Sequence, residues 1–164
     1  MSHDLSIRPA QPADIPILIA FIRKLAIYEK LLDQVTLTPE LLEQTLFRAH
    51  PKAFAVLAEK DEVAVGFAIY FFNYSTFLGA HGLYIEDIYV DEVRRGEGIG
   101  LEILKYLGEV ALSENCGRME WSVLDWNEPS IGFYKKLGAM AMDEWTIFRL
   151  SRQHIKALLQ EKAA

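Results

Sequence analysis

Three glycines at alternate positions, Gly96, Gly98 and Gly100, stand behind Arg94 and Arg95 in the stretch DEVRRGEGIG. A helix-period pattern, LEILKYLGEVAL, begins immediately after them. Without Cβ atoms, such a backbone turns sharply and lets a ligand approach its N–H groups. A helix N-terminus adds unsatisfied N–H donors and the positive end of the helix dipole, which together favour an anion. The two arginines carry charge of the same helpful sign. The segment reads as a phosphate or pyrophosphate cradle, or as a plain flexible loop before a helix. It fits neither familiar nucleotide pattern. Leu101 stands where G-x-G-x-x-G needs its last glycine, no acidic residue ends a second strand in the ribose position, and G-x-x-x-x-G-K-[ST] is absent.

Carboxylates supply the next signal. Glu86 and Asp87 sit side by side in the otherwise apolar run LYIEDIYV. Strand alternation sends them to opposite faces. A lone buried charge is expensive, so at least one of them needs a partner, either a structural arginine or a ligand. Tyr28 and Glu29 end the first helical pattern, where an acid opposes the helix dipole. Tyr134 lies about two turns into a helix that starts near Glu128. On pattern alone Tyr134 is an amphipathic tyrosine packed beside Phe133. The four histidines are scattered without ligand spacing, so no metal site is expected. Cys116 has no evident paired base and reads as packing. Trp121, Trp126 and Trp145 are most simply core or interface aromatics.

These residues must be positioned by a scaffold that the patterning also outlines. SIRPA is a short opening strand. Ile15, Leu18, Ile22, Leu25 and Ala26 share one face of a helix. Thr38 suits the N-cap and Pro39 the first position of a second helix. AFAVLAEK and VAVGFAIYFFNYS flank the dipeptide DE as two strands and a tight turn. GLYIEDIYVD is a further strand, followed by the glycine loop and a helix to about Asn115. RMEWSVLD is another strand. Asn127 caps a helix that Gly138 ends. EWTIFRL reads as a late strand and RQHIKALLQEK as a terminal helix. The order β-α-α-β-β-β-α-β-α-β-α predicts a mixed sheet with helices on its faces, an α/β (α+β) fold in a single domain spanning residues 1–164.

RRGEGIG after the strand YIEDIYV resembles the R/Q-x-x-G-x-G/A pyrophosphate loop of the GCN5-related N-acetyltransferases. WNEPSIGFYKKLGA is similar to that family's later motif, in which an asparagine and a tyrosine near a helix start meet the cofactor. From about Ile7 to the last expected strand, the chain resembles the diamine (spermidine/spermine) N-acetyltransferases. YEK, GLYIEDIYV and the two motifs carry that likeness. The resemblance implies a mostly antiparallel central sheet flanked by helices, and direct transfer of an acetyl group from acetyl-CoA to a primary amine. It implies cofactor contacts from Ile88, Tyr89 and Val90, from Arg95, Gly96, Glu97, Gly98, Ile99, Gly100 and Leu101, and from Asn127, Glu128, Pro129 and Ser130. Tyr134 is then the acid beside the thioester sulfur, and Glu86 collects the amine's proton directly or through water. Tyr28, Glu29, Glu86, Asp87, Glu120, Trp121 and Ser122 line the amine site. The oxyanion donor is expected from the backbone of the splayed IYV strand.

One departure bears on the substrate. The diamine enzymes carry an acid and a tryptophan before the Glu strand, where this chain has Ser75 and Phe77. Loss of one anionic contact disfavours a long polyamine. Phe77 is left as an apolar or cation–π wall. VLDWNE is similar to the thialysine-acetylating branch, so thialysine or a related amino acid is the alternative acceptor. A protein amine, or a non-catalytic acyl-CoA-binding role, are further alternatives. The family's size class implies a homodimer.

Composition excludes several other classes. The 164 residues are 51% hydrophobic and 24% charged, ordinary for a globular domain with a real core. A formal charge of −6 argues against nucleic acid as the main partner. Runs such as VAVGFAIYFF are too short and broken to span a bilayer. The opening MSHDLSIRPA lacks the apolar region of a signal peptide. One cysteine fits a reducing compartment, so a cytoplasmic location is expected.

Overall fold

The computed structural model describes residues 5–161. Residues 1–4, the first part of the stretch read for a leader, and Lys162, the last residue of the expected terminal helix, lie outside them. The elements are β1 (Leu5–Pro9), α1 (Ile15–Tyr28), α2 (Pro39–Leu46), β2 (Phe54–Lys60), β3 (Val63–Ser75), β4 (Ala80–Val90), α3 (Ile99–Ser113), β5 (Arg118–Trp121), α4 (Glu128–Lys136) and α5 (Arg152–Leu158). They divide into two compact units, the first ending at Leu124 and the second starting at Asp125. Each is described by itself.

In the first unit the strands lie in the order β1-β2-β3-β4-β5. All neighbours are antiparallel except β4 and β5, which run parallel. The β2–β3 turn places Asp61 and Glu62 in the left-handed region, at φ of 53° and 64°. Two successive left-handed residues match the strand twist of a tight hairpin. Helix α2 starts as its sequence demands, with Leu41 N–H donating to the Thr38 hydroxyl at 3.2 Å.

One face of the sheet is covered by α1. Ile15, Leu18, Phe21 and Leu25 pack with Leu57, Phe67, Ile69 and Tyr89, and Leu42 of α2 joins them. Phe21 and Phe67 stack at 5.9 Å between ring centroids. Each such side chain removed from water stabilises the fold by about 1.5–3 kcal/mol. Gly66, next to Phe67 and therefore on the other face, lies against Ile103 of α3. The sheet is thus sandwiched, and the entry to α1 is pinned to it. Arg8 of β1 donates to Asp14 at 2.7 Å and to Glu59 of β2 at 2.7 Å. The guanidinium holds the Asp14 carboxyl below its ordinary value.

The second unit carries α4 and α5. The expected strand EWTIFRL is not one: the segment between the two helices has no regular secondary structure. A strand needs a neighbour for its N–H and C=O groups, and none pairs with it among the described residues. Trp145, Ile147 and Phe148 are exposed there, Phe148 to 93%.

Candidate active site

The glycine loop has the geometry its composition suggests. Gly98 is the N-cap of α3 at φ +81°, and Gly96 lies at φ +83°. A Cβ at either position would meet nothing within 4 Å, so conformation and not crowding demands glycine. A side chain at such a φ costs of order 1–3 kcal/mol, and it would fill the space a ligand needs. No side chain caps α3. Its first intrahelical bond runs from Glu102 N–H to Gly98 O, which leaves the N–H groups of Ile99, Gly100 and Leu101 without helical acceptors. This cradle fits the pyrophosphate of acetyl-CoA.

Side chains brace the loop from three sides. Lys60, at the end of β2, donates to the Glu97 carboxylate at 2.5 Å, and Arg94 lies 3.6 Å from its other oxygen. The Lys60 ammonium holds that carboxyl below its ordinary value. Glu97 is therefore engaged, and only its backbone is left to face a phosphate. Arg95 stacks its guanidinium 4.7 Å over the Tyr28 ring and 5.6 Å over the Tyr89 ring. Lys24 of α1 pairs with Asp91 at 3.0 Å. The Lys60–Glu97, Arg95–Tyr28 and Lys24–Asp91 contacts were not legible in the sequence, because each joins residues far apart along the chain.

Strand β4 opens towards the same region. It pairs with β3 along its whole length to Val90, but with β5 only from Gly82 to Ile85. Beyond Ile85, no strand among the described residues pairs with the β5 side of β4, and Val90 O accepts instead from Arg95 Nε at 3.4 Å. Ile88, Tyr89 and Val90 sit in this splayed stretch, where an extended pantetheine arm could pair with them.

At the start of the splay the β3–β4 register shifts. Ile69 faces Asp87 and Tyr70 faces Ile85, so Glu86 is the extra residue of a β-bulge. The bulge breaks the alternation expected at this position. Glu86 is exposed and Asp87 half-buried. Burial, then the charges of Glu86 and Glu29, push the Asp87 carboxyl up from 3.8 to about 6. Burial also raises Glu29 at the end of α1. Three carboxylates thus stand close enough to repel one another, an arrangement that a cation would relieve.

Further along the same sheet face, Phe71 and Tyr84 pack at 5.0 Å. The Tyr84 hydroxyl meets the Ser122 hydroxyl at 2.7 Å. Glu120 forms an ion pair with Arg118 at 3.1 Å and accepts from Asn73 Nδ2 at 3.3 Å. Trp121 is half-buried on β5. Phe77 does not form the expected wall: it stands 99% exposed at the tip of the β3–β4 turn. Ser75, by contrast, is buried, and its hydroxyl closes that turn by accepting from Leu78 N–H at 3.2 Å.

The first unit thus gathers Tyr28, Glu29, Glu86, Asp87, Arg95, the glycine loop and the splayed strand, with Glu120 and Ser122 one strand over. The other site candidates belong to the second unit. There Asn127 caps α4 by accepting from Ser130 N–H at 3.4 Å, with Pro129 in the first turn and Glu128 as its acid. Tyr134 is half-buried in α4, its ring 5.5 Å from that of Phe133.

The family model described as Acetyltransferase (GNAT) family matches residues 23–139. A thialysine N-epsilon-acetyltransferase from Bos taurus is 38% identical, over 93% of this chain and 95% of that protein. A spermidine/spermine N(1)-acetyltransferase-like protein from Homo sapiens is 34% identical over 95% of this chain and 24% of its own length. Among solved structures, an integron cassette protein from V. cholerae aligns with a TM-score of 0.77 at 23% identity, over 96% of this chain and 98% of that one, a likeness of fold alone.

Proposed function

The chain belongs to the GNAT family of acetyltransferases and is an acetyl-CoA-dependent N-acetyltransferase; from that premise we propose that its acceptor is a small molecule carrying a primary ammonium. The observation that carries this reading is the mutual repulsion of Glu29, Glu86 and Asp87 beside the splayed strand. Carboxylates held at such cost suit a cationic acceptor. A relative named for thialysine acetylation is named for an acceptor of this kind.

Acetyl-CoA supplies the activated acetyl group when bound. The uncapped N–H groups of α3 would hold its pyrophosphate, and the edge of β4 from Ile88 to Val90, which β5 does not cover, its extended arm. Asn127 to Ser130 are the second proposed contact. The acceptor ammonium docks among the acids, near Tyr28. It loses its proton to Glu86, directly or through water, and becomes nucleophilic. Tyr134 is the proposed proton donor to the departing thiolate. The scheme assigns no role to a metal, nucleic acid or membrane, and the single cysteine supports a cytoplasmic setting. We treat the two units as parts of one acetyltransferase domain.

Turnover with acetyl-CoA and a panel of amines tests this. Small cationic amines should be acetylated and neutral aromatic amines left alone. Gly98→Val, which forces a branched side chain into a left-handed position, should abolish acetyl-CoA binding and all turnover. Equal use of neutral and cationic amines would refute the acceptor class. Unchanged affinity for CoA in Gly98→Val would refute the cradle.

A homodimer is the proposed assembly. Met140, Met142, Trp145, Ile147, Phe148 and Leu150 are all exposed along one short segment, apolar surface that a second copy would cover. Light scattering at micromolar concentration should return twice the 18.7 kDa chain mass. A monomer mass would remove the proposal.

A further inference from the structure

We infer that Lys60 is a positioning residue for the cofactor cradle: with Arg94 it holds the Glu97 carboxylate off the pyrophosphate, which lets an acid stand inside an anion-binding loop. This rests on the reading of Gly96 to Leu101 as the pyrophosphate cradle of acetyl-CoA.

An acid between Gly96 and Gly98 is a misfit in such a loop. Consecutive Cα atoms are about 3.8 Å apart, so the Glu97 Cα lies within about 7.6 Å of that of Ile99, whose N–H group opens the cradle. A bare carboxylate at that range falls inside the screening length of about 8 Å and repels a pyrophosphate. The helix N-terminus itself carries only about half a positive charge. One free carboxylate is therefore enough to reverse the local sign.

The compensating charge comes from outside the loop. Lys60 closes β2, and β3 lies between that strand and β4, which leads into the loop. Lys60 Nζ donates to Glu97 Oε2 at 2.5 Å, and Arg94 Nη1 lies 3.6 Å from Glu97 Oε1. Both carboxylate oxygens thus face a cation. One acid against two cations leaves the three groups with a net positive charge towards the ligand. Two more acids near the cradle are matched by lysines: Asp91 meets Lys24 at 3.0 Å, and Glu102 meets Lys105 at 2.7 Å. Those lysines are 48% and 59% exposed, whereas Lys60 is 19% exposed. The less exposed pair is screened least, and only Glu97 stands between the glycines.

CoA is the probe. Calorimetry on the free chain reads its Kd without turnover, and the melting temperature shows whether each variant is folded. Lys60→Gln should weaken CoA by about tenfold or more, because it frees a carboxylate beside the phosphates. Glu97→Gln should bind CoA at least as tightly as wild type. The double variant, Lys60→Gln with Glu97→Gln, removes one charge of each sign and should return to within about threefold of wild type. Lys60→Arg, which keeps the cation, should do the same. A bridge that only stiffens the loop gives the opposite sign for the acid: Glu97→Gln would then weaken CoA as Lys60→Gln does, and the double variant would not recover. Either result overturns the inference, as does a folded Lys60→Gln chain whose CoA affinity is within twofold of wild type. Should Lys60→Gln fail to fold, the sign of the Glu97→Gln effect decides alone. Unchanged CoA affinity in Gly98→Val, by contrast, removes the cradle itself and this role of Lys60 with it.

Discussion

Tyr134→Phe is expected to lower kcat by about 10²–10⁴-fold, the usual contribution of a positioned general acid. At about 1.4 kcal/mol per decade this is about 3–5 kcal/mol of transition-state stabilisation. The substitution removes one oxygen and keeps the ring, so the 5.5 Å packing against Phe133 survives. Acetyl-CoA affinity should therefore stay near wild type, and the loss should appear in kcat rather than KM. The phenol is the proposed proton donor as the thiolate departs. Where water reaches the sulfur, the effect falls to the low end of that range. Steady-state kinetics with a CoA titration on the same preparation makes the check. Turnover within twofold of wild type would reduce Tyr134 to a packing residue.

Local chemistry was legible where a residue type has one local meaning. Thr38 and Asn127 cap helices as their sequence contexts demand. Gly96 and Gly98 take left-handed conformations, the sharp turn that the lack of Cβ atoms allows. Of the five-residue α1 stripe, Ile15, Leu18, Leu25 and Ala26 are buried and Ile22 is half-buried, while Phe21, which the stripe omits, proves 2% exposed. The misses have physical causes. EWTIFRL has the alternation of a strand, but a strand exists only with a partner edge, and alternation says nothing about partners. Glu86 and Asp87 alternate in sequence, yet a bulge inserted opposite Ile69 and Tyr70 breaks that period. The Lys60–Glu97 and Asn73–Glu120 contacts are tertiary, so their residues look like ordinary surface groups in the chain.

The acidic cluster should announce itself in pH dependence. Asp87 titrates at about 6 in the fold, against 3.8 ordinarily, chiefly because it is buried and then because Glu86 and Glu29 stand near. Below that value it is neutral and gives an ammonium little attraction. Amine kcat/KM should thus rise as pH climbs through about 6 and then level off. Asp87→Asn should remove that limb and cut kcat/KM by tenfold or more, since a hydrogen bond to a charged partner is worth about 1.5–3 kcal/mol. Stability should move the opposite way. Because the folded value lies above the unfolded one, the native chain holds the extra proton between pH 3.8 and about 6. Stability from this group is complete below that window and is lost as pH rises through it. The gap corresponds to at most about 3 kcal/mol. Asp87→Asn should accordingly unfold at higher temperature than wild type at pH 8, with the difference vanishing near pH 3.5. Gain of stability with loss of amine turnover is the signature of a carboxylate kept for its ligand. A limb that persists in Asp87→Asn and disappears in Glu29→Gln would move the role to Glu29. A variant that loses stability at pH 8 would make Asp87 a structural group.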